Sequence, residues 1–206
     1  MKGVRINHLH AHRPRHTAGS GIVHAEVSPP AFLRDGGPCH LLQLWMNLPA
    51  ALKGETPAYH AVEPEDMAKL TGPGWSWEVI SGKAESEGTA AEGPVASLTG
   101  LFTSRLKLEA GAVFSGHVPA GRTLLLYLVT GAVRLGDVEL KPFTTPVFDR
   151  SGGTLDLTAE ADTTLLWCHG DPIEEPVVSY GPFVMNTEEE IRTAYAEYQR
   201  GDFGHV

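Results

Sequence analysis

Basic residues, cysteines and long apolar runs are all scarce in this chain of 206 residues. Only 16 lysines and arginines stand against 25 acidic residues, which gives a formal net charge of −9. Because clustered lysine and arginine are needed to neutralise phosphate groups, this balance argues against direct binding to nucleic acid or to an anionic membrane. No window reaches the ~20 apolar residues of a membrane-spanning helix, and the N-terminus lacks the apolar core of a signal peptide. We therefore expect a cytoplasmic protein.

The two cysteines, Cys39 and Cys168, lie far apart in the sequence. Neither forms a C-x-x-C pair or the Cys/His spacing of a zinc finger, so two buried thiols are favoured over a disulfide or a zinc cage. Glycine and proline, in contrast, are plentiful, with 23 and 15 residues. This composition suits an all-β chain with many turns better than a helical protein.

Strand patterns recur at short intervals, separated by turn residues such as Gly136-Asp137. The patterns predict strands at His40–Leu48, Trp75–Ile80, Thr103–Leu108, Ala112–His117, Thr123–Val129, Ala132–Leu135, Val138–Leu140, Thr145–Asp149, Thr154–Thr158 and Thr163–Cys168. The small, acidic stretch Ser81–Pro94 is interpreted as an exposed loop. Many short strands at this spacing indicate a jelly roll or a small barrel.

The end of the chain changes to a helical pattern. Thr187 and Glu190 form a Thr-x-x-Glu capping box, with acidic residues in the first turn. Apolar residues then recur at helical spacing from Ile191 to Tyr198, and Gly201 ends the run. We expect one amphipathic helix that packs across a sheet.

His24 and Glu26 stand two residues apart in an extended pattern. Side chains at this spacing on a strand point to the same face, so an imidazole and a carboxylate together provide half of a metal site. Gly19 and Gly21 precede them and permit a positive φ or a close backbone approach. The alternative interpretation is that His24 and Glu26 simply occupy the polar face of a strand.

Three segments resemble the pirin family of two-domain cupins: Gly19–Glu26, Leu42–Ala50 (LQLWMNLPA) and Asp171–Ile191 (DPIEEPVVSYGPFVMNTEEEI). The resemblance implies a bicupin of tandem jelly rolls whose first domain holds iron or a similar divalent metal through three histidines and one glutamate. It also implies a dioxygenase that opens the flavonol quercetin, and in some members a role as a transcription co-regulator.

In the family the metal ligands come from an H-x-H-R segment and a later H-x-E segment. His24 and Glu26 match the second segment, and His10-Ala11-His12-Arg13 matches the first. Only eleven residues separate His12 from His24, where the family has several strands. We therefore expect a truncated N-terminal cupin that lacks the front half of its fold.

The expected organisation has four parts. Residues 1–50 are the remnant of the N-terminal metal-binding cupin, and residues 51–74 are a linker. Residues 75–175 form a C-terminal cupin without metal, since His117 and His169 each stand alone. Residues 176–206 are a C-terminal segment whose helix packs back on the fold.

The four expected metal ligands are His10, His12, His24 and Glu26. In a jelly roll the strands that carry the two ligand pairs are neighbours, so deleting what lies between them leaves a hairpin. Three imidazoles and one carboxylate suit Fe(II), with Mn, Ni, Cu and Zn as alternatives. Glu26 is also the expected catalytic base, provided that its second oxygen is free.

Three functions remain open at this point. The first is a quercetin 2,3-dioxygenase-type oxidoreductase that acts on a flavonol-like small molecule. The second is a non-enzymatic pirin that senses metal or redox state and binds a regulatory protein partner, and the third is an inactive truncated cupin. Because unpaired strand edges template association, the strands near His24 and Leu42–Asn47 predict a homo-oligomer.

Overall fold

The computed structural model describes residues 4–7, 15–28, 30–38, 41–60, 62 and 64–204. Its strands are β1 (Val4–Asn7), β2 (Arg15–Thr17), β3 (His24–Val27), β4 (Ala58–His60), β5 (Ala68–Gly72), β6 (Trp75–Ser81), β7 (Lys83–Ser86), β8 (Thr89–Glu92), β9 (Phe102–Leu108), β10 (Val113–Val118), β11 (Thr123–Thr130), β12 (Val133–Leu135), β13 (Val138–Leu140), β14 (Gly153–Ala159), β15 (Thr163–Gly170), β16 (Val178–Tyr180) and β17 (Phe183–Met185). The α-helices are α1 (Pro30–Asp35) and α2 (Glu188–Arg200), with 3-10 turns at Ala50–Leu52 and Pro64–Asp66. Among these described elements, no helix combines the length and the apolar character that a membrane crossing needs.

The chain divides into two compact units. Residues 1–63 and 173–206 make up the first, called here the split unit, and residues 64–172 make up the second, the sandwich unit. The division places the C-terminal segment with the N-terminal remnant. It also gives residues 64–74, which the sequence assigns to a linker, to the sandwich unit, where β5 is an edge strand of a sheet.

Two antiparallel sheets form the sandwich unit, one in the order β10-β14-β12-β13 and the other in the order β11-β15-β9-β6-β5. Both sheets contribute to one buried core, in which Phe114 of β10 meets Trp77 of β6 and Trp167 of β15. The ring of Phe114 lies edge-on to these tryptophans, at centroid distances of 5.1 and 5.8 Å. The fold class expected from the sequence, an all-β chain with a C-terminal helix, is confirmed.

Most strands of the sandwich unit lie where the sequence predicts them, and two stretches differ in addition to β5. Thr145–Asp149 is not a strand, because Pro146 has no N–H to donate and Val147 is almost fully exposed. The predicted loop Ser81–Pro94 contains the hairpin β7–β8, whose two-residue turn has positive φ at Glu87 and Gly88. That turn geometry matches the twist of paired strands.

The described part of the split unit contains only two-stranded pairings. β1 pairs with β3 in parallel, while β2 with β4 and β16 with β17 pair antiparallel. Helix α2 begins after Thr187, which forms the predicted capping box with Glu190, and ends at Gly201 with a φ of 81°. Ile191 and Ala194 are its buried residues, so the predicted helix is confirmed, with its caps.

Candidate functional site

A tight turn leads into strand β3, which carries the expected H-x-E ligand pair. The Gly21 N–H donates to the Ala18 carbonyl and the Ser20 N–H donates to the Glu55 carbonyl, both at 2.8 Å. Gly19 has a φ of +48°, and a side chain there would collide with the Glu55 carbonyl oxygen. Glycine at this position therefore allows both the turn and the close contact with Glu55.

Between this turn and strand β3, the chain contacts Phe203 near its C-terminal end. The Val23 N–H donates to the Phe203 carbonyl at 3.2 Å. Gly21, with a φ of +108°, lies directly against the Phe203 ring, so that any side chain at position 21 would overlap the ring. Phe203 itself is only 8% exposed. A glycine at position 21 predicts a close backbone approach, but no sequence pattern predicts that Phe203 is the residue that approaches.

His24 and Glu26 both lie in β3. They are two residues apart, and positions i and i+2 lie on the same face of a strand. In the parallel register with β1, Val4 stands opposite His24 and Ile6 opposite Glu26. The His24 side chain is exposed. The structure thus gives this ligand pair the extended backbone that the sequence requires.

The other two expected ligands, His10 and His12, lie outside the described residues, so the expected hairpin is described only in part. In the described part, strand β3 pairs with β1 in parallel, and residues 15–17 of the expected loop form β2, which pairs with β4. Among the residues that the structure does describe, no group of three or more His, Cys, Asp or Glu side chains is placed to hold a metal. The four-residue ligand set therefore stays a prediction.

A polar network, called here the latch, joins residues 47–53 to the C-terminal segment. The Lys53 ammonium donates to Asn47 Oδ1 at 2.6 Å and to the Val184 carbonyl at 3.2 Å. The Glu175 carboxylate accepts the Ala50 N–H at 2.8 Å. Burial lowers the Lys53 pKa, and the Glu175 charge opposes this shift. The latch connects two of the three segments in which the pirin resemblance is found.

The sandwich unit contains two histidines, His117 and His169, in different surroundings. His169 is buried and stacks on Phe102, with ring centroids 4.7 Å apart. Burial and the nearby Arg122 charge lower the pKa of His169 to about 4. His117 is exposed on β10. Next to His169, burial raises the pKa of the Cys168 thiol to about 11, which fits the expectation of a buried free thiol; Cys39 lies outside the described residues.

Residues 41–46 form a mostly apolar segment, called here the apolar segment. Its large apolar residues are between 37% and 73% exposed: Leu41, Leu42, Leu44, Trp45 and Met46. The sequence predicts a strand at His40–Leu48, and that prediction is wrong for residues 41–48, which have no regular secondary structure. A strand needs a neighbouring backbone, and among the described residues no strand pairs with this segment.

Comparison with known proteins identifies the C-terminal domain of the chain. Residues 103–204 match the model of the Pirin C-terminal cupin domain. The chain is 36% identical over 189 residues to a pirin-like protein from Caulobacter vibrioides, covering 90% of this chain and 65% of that protein. It is 33% identical over 193 residues to pirin from Mus musculus, covering 91% and 63%. The chain thus spans a little under two thirds of the length of these relatives.

A solved structure shows the same fold. The crystal structure of quercetin 2,3-dioxygenase from Acinetobacter baumannii superimposes with a TM-score of 0.72 at 34% identity, covering 79% of this chain and 56% of that chain. At this identity the likeness extends from fold to sequence. On these matches, and on its all-β sandwich with a capped C-terminal helix, the chain belongs to the pirin family of cupin proteins.

Proposed function

We propose that the chain provides the metal-binding strand of a pirin-type quercetin 2,3-dioxygenase, with His10, His12, His24 and Glu26 as the metal ligands. The observation that supports this proposal most is the placement of His24 and Glu26 on strand β3, behind a turn fixed at Gly19 and Gly21. The name of the solved relative supplies the reaction class.

The donor chemistry fits a divalent transition metal. Three imidazoles and a carboxylate suit Fe(II) first, and Mn, Ni, Cu or Zn as alternatives. His24 is exposed, and Glu26 lies two residues further along the same strand. When bound, the metal supplies Lewis-acid chemistry to a flavonol oxygen.

The residues of the chain have separate tasks in this proposal. The three histidines orient the bound ion, and Glu26 accepts the proton of the flavonol hydroxyl group through its second carboxylate oxygen. Holding the flavonol next to Glu26 avoids the entropy cost of bringing the two groups together in the reactive geometry. The substrate is thus a flavonol-like small molecule.

The test is oxygen uptake with quercetin after anaerobic loading with Fe(II). We expect uptake by the wild type, and loss of at least 90% of it in both His24→Ala and Glu26→Ala. His117→Ala is the matched control, because it removes an exposed histidine of the sandwich unit and should retain the activity. Uptake by the wild type no faster than that of free Fe(II) overturns the proposal.

A second candidate function is a metal- or redox-sensing pirin that regulates a protein partner without catalysis. The apolar segment favours it, since contiguous exposed apolar residues commonly mark a protein interaction site. This function predicts that a partner is recovered by the protein in only one metal oxidation state, and that Trp45→Ser abolishes recovery. Equal recovery with and without metal contradicts it.

A further inference from the structure

We propose that Phe203 is a positioning residue for the metal-binding strand: it holds the backbone of residues 21–23 so that His24 and Glu26 are presented in a fixed geometry. This inference rests on the proposed metal centre. It assigns a role to the turn at residues 201–204, called here the C-terminal turn. This turn contains none of the expected metal ligands or catalytic residues.

The first step is the backbone contact. The Phe203 carbonyl accepts the Val23 N–H at 3.2 Å, and Val23 immediately precedes the first residue of β3. A hydrogen bond at this point fixes the direction in which the chain enters the strand. Any rotation of the backbone at Val23 would move the His24 imidazole, because His24 is the next residue.

The second step is the side-chain contact. The Phe203 ring occupies the space that a Cβ at residue 21 would need, and Gly21 has the positive φ that glycine adopts at low cost. Gly21 and Phe203 are therefore complementary in shape. Removing the ring would leave residues 19–23 free on one side, since glycine-rich backbone loses its conformational restriction when its packing partner is lost.

The third step is that Phe203 is itself held in place. After the left-handed Gly201, the Asp202 N–H donates to the Glu197 carbonyl and the Gly204 N–H to the Gly201 carbonyl, both at 3.0 Å. The Phe203 ring lies 6.1 Å from the Phe183 ring. These hydrogen bonds hold the C-terminal turn in place after helix α2. Loss of a group that orients metal ligands typically lowers metal affinity 10–100-fold.

The experiment measures Co(II) binding by the whole 206-residue chain, through the intensity of the d–d absorption band during a titration. In Phe203→Ala we expect Co(II) affinity to fall by about tenfold or more, with a changed band shape, while all four donor residues remain. Phe203→Leu keeps an apolar side chain and should restore most of the affinity. Ser104→Ala is the control for general destabilisation, since it weakens the sandwich unit and should leave both affinity and band shape unchanged.

A second readout follows the backbone directly. Hydrogen exchange at the Val23 amide should be faster in Phe203→Ala than in the wild type, with or without metal. Equal affinity, band shape and exchange in Phe203→Ala and the wild type overturn the positioning role and leave the dioxygenase proposal standing. Co(II) binding that depends on Phe203, in a protein whose Fe(II) form does not consume oxygen with quercetin, overturns the dioxygenase instead. A wild type that binds no Co(II) overturns both.

Discussion

A single buried polar residue, Ser104, links three neighbouring strands of one sheet, β15, β9 and β6, in the aromatic core of the sandwich unit. Ser104 is fully buried; its hydroxyl accepts the Trp77 indole N–H at 2.9 Å and donates to the Trp167 carbonyl at 2.6 Å. One hydroxyl therefore bonds both the indole N–H of Trp77 and the backbone carbonyl of Trp167. Buried donors and acceptors without partners are costly, so this small residue matters more than its size indicates.

We predict that Ser104→Ala lowers the free energy of unfolding by about 2 kcal/mol, because the Trp77 indole N–H and the Trp167 carbonyl lose a shared partner. Denaturant unfolding followed by tryptophan fluorescence measures the change. Ser115→Ala is the matched control: Ser115 is exposed and bonds only to Asp156 among the contacts described, so its loss should cost a few tenths of a kcal/mol. Equal effects of the two substitutions would contradict the prediction.

The ionisation of His169 predicts how the free energy of unfolding changes with pH. Its pKa is lowered from 6.5 to about 4, first by burial and then by the Arg122 charge. The unfolded chain therefore binds the proton more readily between about pH 4 and 6.5, so the contribution of His169 to stability is complete above pH 6.5 and is lost as pH falls through this window.

The corresponding measurement compares unfolding curves of the wild type and His169→Gln at pH 7 and pH 4.5. We expect the wild type to lose about 2 kcal/mol more than the variant over this interval, since each pKa unit corresponds to 1.36 kcal/mol. Other titrating groups are common to both proteins and cancel in the difference. Parallel pH profiles of the two proteins would show that His169 is not protonated on unfolding.

At the scale of elements, helix α2 leads into the C-terminal turn, whose Phe203 contacts Gly21 and Val23 just before strand β3. The Thr187 hydroxyl accepts the Glu190 N–H, and the Glu190 carboxylate accepts the Thr187 N–H, which completes the box. The Tyr195 ring packs edge-on against Phe183 at 4.9 Å. The stability of α2 therefore depends on local capping as well as on packing.

We predict that Thr187→Ala lowers the free energy of unfolding by about 1 kcal/mol, because the first turn of α2 loses an acceptor for an otherwise unpaired N–H. Thr193→Ala serves as the control, since Thr193 is exposed in the interior of the same helix and alanine is a good helix former there. Urea denaturation followed by circular dichroism distinguishes the two. A loss at Thr193 equal to that at Thr187 would contradict the capping argument.

The same elements show what the sequence alone can reveal. The Thr187 cap and the Gly136-Asp137 hairpin follow from residues next to one another, so they are readable directly. The β7–β8 hairpin was missed because its strands are polar and its turn begins with Glu87 rather than asparagine or glycine. The contact of Val23 with Phe203 joins residues at opposite ends of the chain, and no local pattern encodes it.

At the scale of the whole chain, the described part of the split unit has only two-stranded pairings, together with the exposed apolar segment. Two-stranded ribbons are marginally stable without a third strand or a covering element. Exposed strand edges and contiguous apolar residues both favour association. The expectation of a homo-oligomer formed through the apolar segment therefore remains a proposal with physical support.

Sedimentation velocity at micromolar concentration tests this expectation. We predict a dimer or larger assembly for the wild type and a shift toward monomer in Trp45→Ser, which removes a 61% exposed indole from the apolar segment. Val147→Ser is the control, because Val147 is 98% exposed but belongs to the sandwich unit and should leave the assembly unchanged. A wild type that sediments as a clean monomer contradicts the prediction.

We propose that strand β3 presents His24 and Glu26 as half of a transition-metal centre. Elemental analysis of the purified protein after Fe(II) loading and desalting addresses it most directly. We expect about one metal ion per chain in the wild type and a large loss in His24→Ala and in Glu26→Ala, with His117→Ala unchanged. A wild type that retains no metal, or variants that retain as much as the wild type, would contradict it.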